Sequence, residues 1–326
     1  MAKTLVDTPS AVILGPQRLA PILDQAVAIL GLPASARVAV VTAGWQEREA
    51  EDDELVAALG RPAVNLRLHA RAEVVFAEDH QLFDAHRAKQ DRLRQLQELY
   101  RRQLRHSLTA ARELQQLAAS REDDDDVCAA LADAIDAVRQ LDARHYARAV
   151  EVEAEHEEAL ELAARPVVAR QRQELARVLA GCEAIALAGG HVATILTRMQ
   201  LLGVGDMLIK TGFEGHPMPI IAWSAGAMAL SDRIILFHDR PAQGRGDAEL
   251  LHRGLGLLPG VAPLPHARSR LLLDDPARVA LFARRFAPAA CVALDERCGV
   301  TLHGPRRDRR SLWPNTRALG EDGLCR

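Results

Sequence analysis

Between Gln81 and Arg165 the chain runs without a glycine or a proline. Those two residues punctuate most compact folds, so an unbroken stretch of this length has one regular solution, the α-helix. Leu93, Leu96, Tyr100, Ser107, Ala111, Leu114 and Leu117 recur every three or four residues, and Val127, Leu131, Ile135, Val138, Leu141, Tyr146 and Val150 do the same. Glu122-Asp123-Asp124-Asp125-Asp126 separates the two sets. Acidic side chains favour a helix N-terminus, so this cluster is expected to reverse the chain and open the second helix. Pro166 suits the first turn of a third helix running to about Ala180. The apolar seams are narrow and the outer faces charged, which predicts a long antiparallel hairpin that leans on another surface. A body at its root would cover only its base. The expectation is therefore a homodimer joined through the distal half, with an active-site lid as the alternative.

On either side the pattern changes. Ala11–Leu14, Val38–Val41 and a run around Val64–Leu68 are short and apolar throughout. Helical spacing follows the first (Leu19, Ile22, Leu23, Ala26, Leu30) and the second (Asp53–Leu59). Glu183–Ala188, Ile220–Trp223, Ile234–Phe237, Val261–Leu264, Cys291–Leu294 and Gly299–Leu302 continue the strands, with helices at about Val192–Leu202 and Pro276–Phe286. Uniformly apolar strands alternating with helices predict an α/β fold, a mostly parallel sheet covered on both faces. The last two strands read as a closing pair around Asp295-Glu296-Arg297. The organisation that follows is residues 1–80 and 181–303 as one interrupted α/β domain, 81–180 as a helical insertion, and 304–326 as a loosely docked Arg-rich tail.

Composition narrows the function. The 326 residues carry a net charge of −3 and only 3% aromatic residues, so no basic or aromatic platform for nucleic acid is expected. Five cysteines are scattered without a C-x-x-C pair, which argues against a disulfide framework or zinc site. No metal-ligand spacing or cofactor motif stands out, so chemistry without a metal or cofactor is expected. The N-terminus lacks the apolar core of a signal peptide and no apolar run reaches membrane-spanning length, so a cytoplasmic location is expected and a membrane partner is not.

The chemistry centres on Ile220-Ile221-Ala222-Trp223-Ser224-Ala225-Gly226-Ala227-Met228. A strand-length apolar run meets a serine, then small residues, then helix formers, as in a nucleophile elbow. The plainer reading is a strand–helix junction capped by a serine. A nucleophilic serine needs a base, and a histidine suits that role near neutral pH. His266 ends an apolar strand in the same half of the chain, and Asp239 follows another strand, so both are expected at strand ends, where open α/β sheets place their sites. His238 is the rival base. Asp247 and Glu249 are other acids that could orient it. Ser224 Oγ is expected within hydrogen-bond reach of His266.

Trp223-Ser224-Ala225-Gly226-Ala227 resembles the nucleophile motif of the aspartyl dipeptidase (dipeptidase E) and cyanophycinase family of serine peptidases, which share a fold with class I glutamine amidotransferases. Asp239-Arg240-Pro241, Leu255–Pro259 continuing to Pro265-His266, Gly189-Gly190, and Leu294-Asp295-Glu296 with Gly299–Leu302 are similar to further family segments. The resemblance spans Glu183 to His303, and residues 11–78 only in pattern. It implies Ser224 as nucleophile, His266 as base and acid, Asp239 as orienting acid, and the N–H groups of Ala225 and Gly190 or Gly189 as the oxyanion hole. The substrate would be a small peptide or amide. His191 stands where the family usually has Asn or another polar residue, and Arg268 and Arg270 could hold a substrate carboxylate. An α/β-hydrolase esterase is an alternative, although it has Gly where this chain has Ala222. A glutamine amidotransferase would need Cys at 224. A non-catalytic binding or scaffold protein using the helical arm is the third reading.

Overall fold

The computed structural model describes residues 8–121, 123–210, 217–237 and 246–326. In chain order the elements are β1 (Pro9–Leu14), α1 (Leu23–Ile29), β2 (Val38–Val41), a 3-10 segment at Ala43–Arg48, α2 (Asp53–Leu59), β3 (Ala63–Asn65) and α3 (Leu68–Glu78). The arm follows as α4 (His80–Ser120) and α5 (Asp125–Leu160), then α6 (Pro166–Leu179). The chain continues through β4 (Ala184–Leu187), α7 (Val192–Leu201), α8 (Val204–Lys210), β5 (Ile220–Trp223), α9 (Ala225–Leu230), β6 (Arg233–Leu236) and β7 (Glu249–Arg253). It closes with β8 (Val261–Pro265), α10 (Ala267–Arg270), α11 (Pro276–Phe286), β9 (Ala290–Leu294), β10 (Gly299–His303), β11 (Arg309–Leu312) and β12 (Arg317–Ala318).

The main sheet has the order β11-β10-β1-β5-β4-β2-β3. Strands β1, β5, β4, β2 and β3 are parallel, and β10 and β11 extend one edge antiparallel. Successive side chains of a strand face opposite ways, and here both ways are buried. Ile13, Val41, Leu187 and Ala222 pack with α3, α6, α7 and α9, while Val12, Val40, Ala186 and Ile221 pack with α1 and α2. This is why the strands carry no polar alternation. A smaller sheet, β12-β9-β8, lies with α10 and α11, and β6 pairs with β7 as a separate ribbon.

Four expectations are corrected. The Cys291–Leu294 and Gly299–Leu302 strands do not pair with each other: β9 joins β8 and β12, while β10 joins β1 and β11. The intervening turn carries the chain from one sheet to the other. The C-terminal tail is not loose, because its residues 309–312 and 317–318 pair in both sheets. Trp313 closes it, donating from Nε1 to Thr301 Oγ1 at 3.0 Å. The strand expected to reach Leu68 stops at Asn65, since Leu68 already opens α3, whose first N–H groups are taken by the buried Glu49 carboxylate. The helix expected from Leu19 begins only at Leu23, past Pro21, and leaves Leu19 80% exposed.

The arm calls for a further correction. Asp124 caps α5 by accepting the Val127 N–H, so the acidic cluster does open the second helix. The premise that a second chain must cover the distal half does not hold. Leu104, Leu108 and Ala111 of α4 and Leu131, Ile135 and Val138 of α5 share one buried cluster with Leu250 of β7 and Leu281 of α11. Gln115, close to the arm's tip, donates to Ala277 O, and Arg139, near the middle of α5, to Ala287 O. The hairpin lies along its own body. Self-association would have to use its outer faces, where Leu99 and Phe83 are exposed.

The seam also contains a buried ion pair. Arg285 donates to both Asp142 oxygens, at 2.7 and 2.8 Å, and to Tyr100 Oη at 2.8 Å, with Arg285 4% and Asp142 2% exposed. Burial works against the guanidinium charge, but the Asp142 carboxylate outweighs it and holds the Arg285 pKa above its ordinary value. Tyr100 Oη accepts the Leu250 N–H, Arg285 reaches Ala248 O, and Gln97 and Arg101 of α4 hold Glu249. The arm therefore grips the start of β7.

Candidate active site

Ser224 sits between β5 and α9 with φ 49° and ψ −123°. Only glycine adopts this region without strain, at a cost of about 1–3 kcal/mol for other residues. The surroundings enforce it. The Ser224 N–H donates to Leu14 O of β1 at 3.2 Å, and its carbonyl accepts the Met228 N–H inside α9. The small residues that follow have a steric reason. A Cβ on Gly226 would lie 2.5 Å from Leu187 O, so the first turn of α9 rests directly on the end of β4. Gly189, just beyond β4, approaches the serine itself, since a Cβ there would be 2.9 Å from Ser224 Cβ. Gly190 has φ +136° and lies against Gly44.

Three N–H groups lie at or next to this corner. Those of Ala225, Gly189 and Gly190 are taken by no hydrogen bond among the described residues. Ala225 is the first residue of α9, where helix geometry leaves N–H groups without partners. Donors at a helix start, beside a hydroxyl, can stabilise an oxyanion. Ser224 is itself 9% exposed.

His266 ends β8, and its N–H donates to Leu294 O of the neighbouring β9 at 3.0 Å. The turn after β9 is tied to the end of β1, where the Gly15 N–H donates to Cys298 O at 3.0 Å. Since Leu14 holds Ser224 and Gly15 holds this turn, the serine and the histidine belong to one end of the molecule. No hydrogen bond among the described residues joins Ser224 Oγ to His266, so the contact expected from the sequence is not made in this conformation. Burial first, and then the Arg270 guanidinium, lower the His266 pKa from its ordinary value, while the carboxylates of Asp295 and Glu296 oppose the shift.

Asp239 and the rival base His238 lie outside the described residues. Among the described residues the acids that act on His266 are Asp295 and Glu296, one strand over, to which the sequence alone assigns no role at the base. The signal was there in the register, because parallel pairing of β8 with β9 sets Pro265 opposite Leu294 and so brings the next residues together. Asp247 and Glu249 are engaged by the arm, through Arg112 and through Arg101 with Gln97. The two arginines differ. Arg268 is paired, its N–H to Asp295 Oδ1 at 3.0 Å and its Nε 3.7 Å from Oδ2. The half-buried Arg270 guanidinium has no partner among the described residues, and burial lowers its pKa. His191 caps α7, its Nδ1 accepting the Thr194 N–H at 3.2 Å. Among the described residues no group of three His, Cys, Asp or Glu side chains could hold a metal ion. No single helix there is long and apolar enough to cross a membrane.

The sequence model of peptidase family S51 matches residues 136–308, just over half of the chain, from within α5 to the end of the β10 region. That span includes Ser224, His266, Asp295 and the Gly189-Gly190 loop. Among curated proteins none matches. A crystal structure of a peptidase from an acI-B1 Actinobacterium aligns over 97% of this chain and 92% of its own, at 12% identity and a TM-score of 0.44. A likeness that distant says nothing of catalysis.

Proposed function

The chain belongs to peptidase family S51, and on that premise we propose that it hydrolyses short peptides bearing a carboxylate, with Ser224 as the nucleophile. Membership of the family supports serine peptidase activity over the esterase and scaffold readings. The observation that carries the residue assignment is the strained Ser224 backbone at the head of α9, with Gly189 against it.

In this reading Ser224 Oγ attacks the scissile carbonyl carbon while His266 takes its proton. The carbonyl electrons move onto oxygen, which the N–H groups of Ala225 and of Gly190 or Gly189 receive. His266 then passes the proton to the leaving amine, and water, deprotonated by the same ring, releases the acyl group. A depressed pKa keeps His266 neutral and ready to accept a proton at neutral pH. Asp295, one strand over, and Asp239 are the two acids that could orient the ring. Arg270 supports the carboxylate preference: a half-buried cation beside the base, without a carboxylate partner among the described residues, suits one supplied by the substrate. Arg268 is already committed to Asp295.

The test is turnover on matched short peptides with and without an acidic residue. Ser224→Ala should abolish turnover on both. Arg270→Gln should raise KM for the acidic peptide about tenfold or more and leave the neutral one nearly unchanged. Equal effects on both peptides would remove the carboxylate preference, and full activity in Ser224→Ala would remove the nucleophile.

A further inference from the structure

Gln46 repeats the backbone conformation of the nucleophile. Its φ is 58° and its ψ −121°, against 49° and −123° at Ser224. A glutamine holds such a geometry only where its surroundings fix it. Here they do: the Thr42 hydroxyl donates to Glu49 O at 2.8 Å, Trp45 N–H to Thr42 O at 2.8 Å and Glu49 N–H to Gln46 O at 2.9 Å. Asn65 Nδ2 bonds both Thr42 Oγ1 and Glu49 O, each at 2.9 Å, and Glu49 is anchored in turn by its bonds to the start of α3. The loop is locked at both ends with the strained residue in its middle.

This loop adjoins the oxyanion glycines. The His191 N–H donates to Gly44 O at 2.9 Å, and Gly190 lies against Gly44. From Gln46 a directed chain of side-chain hydrogen bonds runs to His191. Gln46 Nε2 can only donate, so Thr194 Oγ1 accepts it, at 3.3 Å. The Thr194 hydroxyl proton is then free for His191 Nδ1, 2.9 Å away. The Thr194 N–H also donates to Nδ1, which makes that nitrogen the acceptor. In the neutral ring the proton therefore sits on Nε2, and the ring is exposed, one residue past Gly190.

We propose that Gln46 is a positioning residue that acts through the Thr194 hydroxyl to fix the orientation of the His191 ring, so that His191 Nε2–H donates to an acceptor oxygen of the peptide substrate. That oxygen is a carbonyl or carboxylate beside the scissile bond. The proposal rests on the peptidase reading above. It explains why a locked, strained loop is kept next to the oxyanion corner, and why a threonine stands one helical turn after His191.

The experiment uses the full chain and an acidic dipeptide or tripeptide substrate. Gln46→Gly removes the amide and suits the backbone, so it keeps the loop folded. Thr194→Val removes the relay hydroxyl, and Thr194→Ser retains it. Gln46→Gly and Thr194→Val should each raise KM about tenfold, one hydrogen bond's worth, with kcat within about twofold. Thr194→Ser should behave as the unaltered chain. In a His191→Ala background, Gln46→Gly should add nothing. The ring nitrogen shifts of 15N-labelled His191 should report the Nε2–H tautomer in the unaltered chain and, because the Thr194 N–H remains, in Thr194→Val as well; an Nδ1–H tautomer in the unaltered chain would overturn the proposal. Fluorophosphonate labelling of Ser224 should be the same in all variants. Labelling with an unmoved KM, or a KM loss that persists without His191, would overturn this proposal alone. Failure of the unaltered chain to label would overturn the peptidase reading and this proposal with it.

Discussion

At the Ser224 elbow the geometry is made by backbone: a strained φ, three N–H groups without a partner among the described residues, and residues small enough for α9 to rest on β4. At the seam between the arm and the body it is made by side chains: Arg285, Asp142, Tyr100 and Gln97, reaching across from elements far apart in sequence. The difference decides what each region tolerates. The elbow can lose its hydroxyl without losing its shape. The seam cannot lose a charge without leaving the opposite charge buried. It also decides what each can do, since a backbone corner is fixed before substrate arrives, and a side-chain seam sets where the β6–β7 ribbon stands.

The largest effect should follow from the acid behind His266. Asp295→Asn should lower kcat by roughly two to four orders of magnitude with an unchanged melting temperature, as expected for an orienting acid. The same change at Asp239 separates the two candidates. Whichever variant retains turnover is not the orienting acid.

The seam should answer in stability instead. Arg285→Met leaves the Asp142 carboxylate buried without its cation, held only by the Tyr100 hydroxyl, and should cost about 3–5 kcal/mol in chemical denaturation. Replacing Arg285 and Asp142 together by apolar residues should recover much of that loss. If the single variant cost under about 1 kcal/mol, the arm would not be held as described. Deleting residues 83–163 should likewise destabilise the body, because Leu250 and Leu281 lose their cover.

A cavity-forming change in the arm ranks next. Leu104→Ala, at a position 1% exposed, should cost about 2–4 kcal/mol and leave fluorophosphonate reactivity intact. The same loss accompanied by a fall in reactivity would show that the seam and the elbow are coupled.

The smallest effect concerns pH at the arm's base. Burial, then Lys89, push His86 down to about 3 and His156 down to about 4, with Arg198 and Arg165 adding to the shifts. Both values lie below the ordinary 6.5 of the unfolded chain, so stability is complete above that pH and declines as pH falls toward the folded values. The loss should be about 1 kcal/mol per histidine at pH 5, allowing for partial exposure. His86→Gln should flatten the decline, and a slope unchanged in that variant would show that His86 stays charged in the fold.

Much of the fold was legible because it rests on local rules. Strands buried on both faces read as apolar runs, Asp124 and Pro166 open their helices, and the elbow announces itself through small residues around Ser224. The arm's seam was partly legible. Leu96, Tyr100 and Ala111 are buried as the spacing predicts, but Leu117 is exposed, and Gln97, Asp142 and His145 are buried although polar. His145 pairs with Gln97 inside the arm, but the further partners of Gln97 and Asp142, Glu249 and Arg285, come from the far side of the chain, which no periodicity records. The Asp295 role was hidden for a related reason. The sequence places β9 and β10 side by side, whereas β9 pairs with β8, and only that pairing brings Asp295 to His266. The Gln46 strain left no mark in the sequence, since a backbone dihedral is set by the loop's hydrogen bonds and not by residue type.

The central claim is that Ser224 is an activated nucleophile held by a backbone corner. Labelling the full chain with a fluorophosphonate and mapping the adduct by mass spectrometry tests it most directly. The account predicts one adduct, on Ser224, that disappears in Ser224→Ala and is slowed in His266→Ala. An unlabelled chain, or an adduct on another residue that persists in Ser224→Ala, would contradict it.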